Sequence, residues 1–273
     1  MATLPTVSWG EFTLSRLLIG HNPLKGQSHH TRELDAEMAE WYAPEAGHDV
    51  EVLERCEAEG INTAQFGAPN MHSVLRRHKE GGGTMQWIAT FYDGEGGDPV
   101  AELDAILAVD PKPIGLYYYG GRLDQLFLQK RMQDADENLK RLRDTGILVG
   151  AGSHLPETFA EIESRGWDVD FYEACVYSVY ADRTTGRIDR DNEVFDDVDR
   201  EKMFEFIRGA SKPCIAFKVL AANRKCETDE GVRAALEHAY ASIKDTDVVL
   251  AGMWQKHKDQ VGQNAAWVRE ILG

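Results

Sequence analysis

The chain has 273 residues, of which 42% are hydrophobic and 28% are charged, as expected for a soluble globular protein with a full core. It carries 46 Asp and Glu against 30 Lys and Arg, a net charge of −16. This acidity argues against binding to nucleic acid, whose phosphates need a cationic surface, and against docking on anionic membranes. No apolar run approaches the ~20 residues that cross a bilayer.

Short apolar segments alternate with amphipathic segments along the chain. Residues 7–9 and 11–14 flank Gly10 and predict a small N-terminal hairpin. Eight further apolar runs predict buried strands at residues 16–20, 61–66, 85–91, 114–119, 147–151, 169–176, 214–219 and 248–251. Helical spacing or helix-opening prolines predict helices at residues 50–57, 99–109, 135–145, 156 onwards, 200–209, 231–243 and 260–272.

Eight strand–helix units with strands that are apolar throughout imply a parallel sheet covered by helices. Eight units close naturally, so the sequence predicts an α/β fold, a (β/α)8 TIM barrel that forms one domain over residues 1–273. An open doubly wound sheet is the competing architecture. The first strand is not followed by a GxGxxG motif, which counts against a Rossmann fold.

Two connections are too long to be simple turns: residues 21–46 after the first strand and residues 178–199 after the sixth. Both leave the carboxyl ends of strands, where barrel active sites form. The second is highly charged, so it is either a solvated mobile loop or a lid over the site.

The four cysteines have no CxxC spacing, and Cys175 and Cys214 lie in apolar, strand-like runs. We expect reduced core thiols in a cytoplasmic protein. The stretch from Met1 to Trp9 has neither a basic start nor an apolar core, so we expect no signal peptide.

Four segments, taken in order, resemble aldo/keto reductases. Residues 10–20 resemble the N-terminal hairpin and first strand of that family, and residues 58–62 resemble its first helix end and second strand. Residues 146–154 resemble its fifth strand, and residues 248–252 with Gln260, Val261 and Asn264 resemble its last strand and the helix near its cofactor. The resemblance covers most of the chain and implies a barrel and a cytoplasmic enzyme.

The proton relay of that family, Asp, Tyr, Lys and His, is missing at the matching positions. The Asp falls at Gln65, the Lys at Phe91 and the His at Tyr119 or Gly120, while residues 67–72 contain no tyrosine. Asp and Lys lower the pKa of the family's tyrosine, and Gln and Phe cannot supply those charges.

The resemblance also places a cofactor site. The nicotinamide contacts of the family fall at Gly152, Ser153 and Glu173, where an ionised carboxylate cannot donate a hydrogen bond. Lys256 and Lys258 would hold the nucleotide phosphate, with Asn264 on the neighbouring helix, if NADP(H) binds. The two lysines could equally be solvated surface residues.

Polar residues end several of the predicted strands, and buried polar groups are costly unless they are paired. Glu173 or His154 could act as acid and base, and Lys218 could stabilise an enolate, form a Schiff base or bind a carboxylate. The further candidate catalytic residues are Gln65, Tyr119 and His29.

A divalent metal is possible on His154, Glu173 and His21, which are ligand types that Mn, Zn or Mg accept. Alternatively, His154 caps the following helix and Glu173 pairs with Lys218.

Three functions stay open at this point. The first is acid–base chemistry on a small sugar or keto compound, as an isomerase, epimerase or lyase, with or without help from a metal. The second is an NADP(H)-dependent oxidoreductase in which Tyr92 or Tyr119 donates the proton. The third is a non-catalytic barrel that binds a metabolite. Each takes a small-molecule ligand, and the oligomeric state is left open.

Overall fold

The computed structural model describes residues 3–67, 69–94 and 97–273, without the side chains of residues 69 and 70. The predicted single domain covers residues 1–273, and the expectation of no signal peptide was based on residues 1–9. Both ranges include Met1 and Ala2, which lie outside the described residues. Within the described ranges, no helix is both long enough and apolar enough to span a bilayer.

Eight parallel strands form a closed barrel, and two antiparallel strands form a hairpin at its N-terminal end, as predicted. In chain order the strands are β1 (Thr6–Trp9), β2 (Phe12–Ser15), β3 (Leu17–Gly20), β4 (Thr63–Phe66), β5 (Gln86–Phe91), β6 (Gly115–Tyr118), β7 (Leu148–Ser153), β8 (Phe171–Cys175), β9 (Cys214–Phe217) and β10 (Val248–Gly252). β10 pairs with β3 and closes the barrel. The closed barrel rules out the open doubly wound sheet.

The helices of the described residues surround this barrel. They are α1 (Arg32–Trp41), α2 (His48–Ala58), α3 (Pro69–Glu80), α4 (Pro99–Leu107), α5 (Gly120–Leu128), α6 (Asp136–Asp144), α7 (Pro156–Arg165), α8 (Asp197–Gly209), α9 (Asp229–Ser242) and α10 (Gln260–Leu272). The sequence patterns did not predict α1, α3 or α5.

The connection over residues 21–46 is more ordered than its predicted loop. It begins with a 3₁₀ turn at Pro23–Lys25 and contains α1. The Thr31 side chain accepts a hydrogen bond from the Leu34 amide at 3.2 Å, which caps the helix. The second connection ends at Asp196, because the Asp196 side chain caps α8 through the amide of Val198.

The hairpin closes the bottom of the barrel. Trp9 is 4% exposed and its ring lies 5.4 Å from that of Phe171 on β8, inside the barrel. These rings pack with inward-facing residues that include Leu18, Ile88 and Ile215. The interior is therefore filled from below, and space remains only at the carboxyl ends of the strands.

Candidate active site

A cavity of about 950 Å³ opens at the carboxyl ends of the barrel strands. All six predicted catalytic residues line it: Gln65, Tyr119, His154, Glu173, Lys218 and His29. The structure therefore brings these residues to one place, while their catalytic roles stay predictions.

Glu173 lies on β8 at the floor of the cavity and is 2% exposed. Among the described residues, its Oε2 has no hydrogen-bond partner. Burial raises the pKa of this carboxyl well above its usual range, although the Tyr117 phenol partly opposes the shift. Burial thus favours the protonated form of Glu173, whose buried Oε2 has no partner among the described residues.

A polar network fixes the phenol next to that carboxyl. Gln65 Nε2 donates to the hydroxyls of Tyr117 at 3.0 Å and Thr90 at 2.8 Å, and the Thr90 hydroxyl donates to that of Tyr117 at 2.8 Å. Because the Tyr117 oxygen accepts twice, its own proton is free for Glu173. Burial and then the nearby Glu173 raise the pKa of Tyr117. Gln65 therefore orients a protonated Tyr117–Glu173 pair.

A second acid–base group lies on the neighbouring strand end. Asp124 of α5 is fully buried, and its Oδ2 accepts from His154 Nδ1 at 2.9 Å, the His154 amide at 2.9 Å and the Tyr180 hydroxyl at 2.6 Å. Its Oδ1 accepts from the hydroxyls of Thr158, at 2.8 Å, and Ser153. A carboxylate on Nδ1 favours the proton there, so Nε2 of the cavity-lining His154 ring is the basic nitrogen.

Asp124 was not among the predicted site residues, because its helix, α5, was not predicted. The sequence feature that could have indicated this contact is the pair of glycines Gly120 and Gly152. A Cβ on Gly120 would lie 2.8 Å from the Ser153 backbone nitrogen, and a Cβ on Gly152 would lie 2.9 Å from the Gly120 nitrogen. The bare backbones let the first turn of α5 touch β7. Asp124, one turn later, can then reach His154.

We expect Gly120→Ala to lower the free energy of unfolding by about 1–3 kcal/mol, because the new methyl group meets backbone that cannot move aside. Gly209→Ala is the matched control, since a Cβ there meets nothing within 4 Å. Urea denaturation measures both. Equal stability of the two variants would show that α5 and β7 do not require this close approach.

The predicted metal ligands do not form a metal site. Within the described residues, there is no group of three His, Cys, Asp or Glu side chains that could hold a metal ion. His154 Nδ1 is held by Asp124, and His21 Nδ1 lies 3.0 Å from the Gln65 carbonyl oxygen. Burial, then the charge of Lys25, lowers the pKa of His21 to about 3, so its ring is neutral. Within the described residues, His154, Glu173 and His21 are therefore not arranged as a group of metal ligands.

Lys218 does not pair with Glu173, as one alternative proposed. Its Nζ lies 3.0 Å from Oε1 of Glu193, and the same oxygen lies 2.8 Å from His29 Nδ1. Although burial opposes ionisation, the hydrogen bond from His29 and the charge of Lys218 lower the pKa of Glu193. The Lys218 charge is thus neutralised. His154 does not cap α7 either, because Leu155 at that position makes no side-chain cap bond.

The contact between His29 and Glu193 joins the first connection to the loop after β8, and two further ion pairs do the same. Arg190 lies 3.0 Å from Asp35 of α1, and Arg32 lies 2.5 Å from Asp191. Arg190 also lines the cavity. This loop therefore borders the cavity mouth, the position that a lid needs.

The cavity extends towards the start of α10, where Lys258, Gln263 and Asn264 line it. Lys258 forms an ion pair with Asp229, and Lys256 lies 2.8 Å from Glu37. The two predicted phosphate ligands therefore already have carboxylate partners.

No family model and no curated protein matches the sequence. Solved structures do match, at low identity. An archaeal fructose-1,6-bisphosphate aldolase with its catalytic Lys bound to a carbinolamine intermediate is 12% identical, with 94% of each chain covered and a TM-score of 0.55. A thermostable aldo-keto reductase in complex with an inhibitor is 10% identical, with 97% of each chain covered and a TM-score of 0.55.

The shared feature is the (β/α)8 barrel. At these identities the likeness shows the fold alone. It includes the fold of an aldo-keto reductase, as the sequence resemblance implied.

Proposed function

We propose that the protein is an enzyme that transfers a proton at a carbon next to the carbonyl of a small sugar or keto compound. One observation carries this proposal. Glu173, a buried carboxyl with a raised pKa and an Oε2 that has no hydrogen-bond partner among the described residues, lines the same cavity as His154, a histidine held by a buried aspartate. A buried carboxylic acid and a histidine oriented by a carboxylate are a typical pair of general acid and general base.

In the proposed step, His154 Nε2 takes the proton from the carbon, and the electrons of that C–H bond form a C=C bond. The carbonyl π electrons move to oxygen, which takes the proton of Glu173, and an enediol results. Asp124 stabilises the imidazolium that forms. If His154 returns the proton to the former carbonyl carbon and the other enediol hydroxyl gives its proton to the Glu173 carboxylate, an isomer results. If the original carbon instead takes a proton from solvent on its opposite face and the new hydroxyl returns its proton to Glu173, an epimer results, and His154 loses its proton to solvent. Loss of a β-substituent would make the reaction a lyase reaction.

The hydrogen-bond network around Tyr117 at the cavity floor can support the proton transfer by Glu173. Tyr117 interacts with Glu173 and is itself held by Gln65 and Thr90. Its phenol can donate a hydrogen bond to the carboxylate that forms when Glu173 gives up its proton. Tyr119 and Trp254 line the cavity and offer apolar ring faces to a sugar-sized ligand.

We expect the protein to exchange carbon-bound hydrogen for deuterium in at least one aldose, ketose or keto acid. The compounds are incubated with the protein in D2O and followed by proton NMR, which detects the proton transfer whatever product forms. His154→Gln should abolish the exchange, whereas the exposed variant Glu157→Gln should retain it. Stabilisation of the protein by a compound that never exchanges would favour the non-catalytic metabolite-binding barrel.

An NADP(H)-dependent oxidoreductase is the second candidate, and the extension of the cavity towards α10 favours it. Tyr119 lines the cavity and would then be the proton donor, although burial raises its pKa to about 12 and so makes it a weaker acid. The same exchange assay separates the two functions. Exchange without nucleotide supports proton transfer, while turnover that strictly requires NADPH supports the oxidoreductase.

A further inference from the structure

Two cationic side chains reach the cavity from separate connections. Lys25 ends the 3₁₀ turn after β3, and Arg190 belongs to the loop after β8. In the part of the chain that the structure describes, the Lys25 ammonium has no hydrogen bond or ion pair. Arg190 Nε is also buried without a partner.

The other lysines of the cavity differ in this respect. Lys218 is neutralised by Glu193, and Lys258 is neutralised by Asp229. Lys25 instead has a second cation nearby, and burial together with Arg190 lowers its pKa to about 8. A lysine ammonium without a partner, beside a second cation in a partly buried site, is unfavourable unless an anion joins it.

Arg190 is held in place on its far side. One of its terminal nitrogens lies 3.0 Å from Asp35, and that carboxylate also accepts from the Ser28 amide at 2.6 Å and the Ser28 hydroxyl at 2.7 Å. The guanidinium is planar and presents its donors as a fork, so fixing one terminal nitrogen orients the rest.

Lys25 also lies close to the reactive floor. Its charge is near enough to lower the pKa of His21, and His21 bonds to the backbone of Gln65. The Gln65 side chain in turn holds Tyr117 beside Glu173. Lys25, Arg190 and Glu173 also line one cavity, so a single ligand can contact the cations and the carboxyl together.

We propose that Lys25 and Arg190 form a subsite for an anionic group of the substrate, a carboxylate or a phosphate. The inference rests on the proposed function in one respect, since the molecule it describes is the one on which Glu173 and His154 act. It narrows the substrate from a small sugar or keto compound to an anionic one, such as a sugar acid or a sugar phosphate. Arg190 and Lys25 supply charge-assisted hydrogen bonds to its oxygens.

The test uses three probes built on one three-carbon polyol: glycerol, glycerate and glycerol 3-phosphate. Their binding to the whole protein is measured by isothermal titration calorimetry, which needs no turnover. We expect the anionic probes to bind more tightly than glycerol. Lys25→Gln or Arg190→Gln should lower the affinity for the anionic probes at least tenfold. Lys140→Gln removes an exposed lysine of α6 and is the control for net charge.

The anion that binds more tightly identifies the group as carboxylate or phosphate. Equal binding of glycerol and the anions, or equal affinities in the wild type and both cavity variants, would overturn the subsite. This result is independent of the deuterium-exchange assay. Loss of exchange activity with intact anion binding would refute only the proposed function, and the reverse would refute only the subsite.

The pH dependence separates direct contact from a structural effect. Lys25 must be protonated to bind an anion, so affinity should fall as pH rises through about 8. In Lys25→Gln this fall should disappear. A Lys25 that only supports the fold would leave the pH profile of the variant parallel to that of the wild type, and that outcome would contradict the proposal.

Discussion

We expect Glu173→Gln to lower the rate of proton exchange by about 10²- to 10⁴-fold, the usual contribution of a general acid or base. Gln has nearly the shape of the protonated carboxyl, so it keeps the packing at the cavity floor. It cannot give up a proton to a carbonyl oxygen. The rate is measured by NMR in D2O with the compound that the wild type exchanges.

The same variant should become more stable than the wild type as pH rises. Because the pKa of Glu173 is raised in the folded protein, the stability that its protonated form contributes is fully present below the unfolded pKa of ~4.3. It is lost as pH rises towards the folded pKa, by about 1.4 kcal/mol per pH unit. Gln does not ionise in either state, so the stability difference between variant and wild type widens over that range.

Urea denaturation at several pH values from 4 upwards gives this difference directly. Glu157→Gln, which removes an exposed carboxyl from α7, is the control for the loss of one negative charge. A stability difference that stays constant with pH would show that Glu173 is not held protonated in the folded protein. This measurement requires no substrate, so it tests the buried acid even before an active compound is known.

The barrel could be predicted from the sequence because its strands are short apolar runs closed by turn residues. Some helices were predicted as well, and the last one begins at Gln260 and ends at Leu272 as predicted. The missed helices lack that signal. α5 opens with two glycines and carries the buried Asp124 on its apolar side, so its pattern is interrupted where it matters for the site.

The candidate site was predictable in part for the same reason. His154 follows β7 and Glu173 lies within β8, two residues before its end, and a barrel brings all its strand ends to one face. The carboxylates that hold Lys218 and His154 were not predictable. Glu193 and Asp124 reach the site from a loop and from the buried side of a helix, and local spacing carries no information about such contacts. The alternative pairing of Glu173 with Lys218 failed because Glu193 holds that lysine instead.

The largest loss of stability is expected from Asp124→Asn. The wild-type carboxylate is fully buried and accepts from five donors, including His154 Nδ1 and the Tyr180 hydroxyl. An amide keeps only one acceptor oxygen and turns an NH₂ group towards some of those donors. Breaking a buried charge-assisted network in this way costs about 3–5 kcal/mol, which urea denaturation can measure.

The exchange rate should fall as well, and for a specific reason. With Asn at position 124, the side chain no longer favours the proton on Nδ1 of His154, so Nε2 loses its role as the base. Nitrogen-15 NMR of the histidine ring distinguishes these tautomers. Thr158→Val is the matched control, because it removes one donor to Asp124 without touching His154. If Asp124→Asn lost stability but kept the wild-type tautomer and exchange rate, Asp124 would only support the fold. If the tautomer changed and the exchange rate did not, His154 would not be the base.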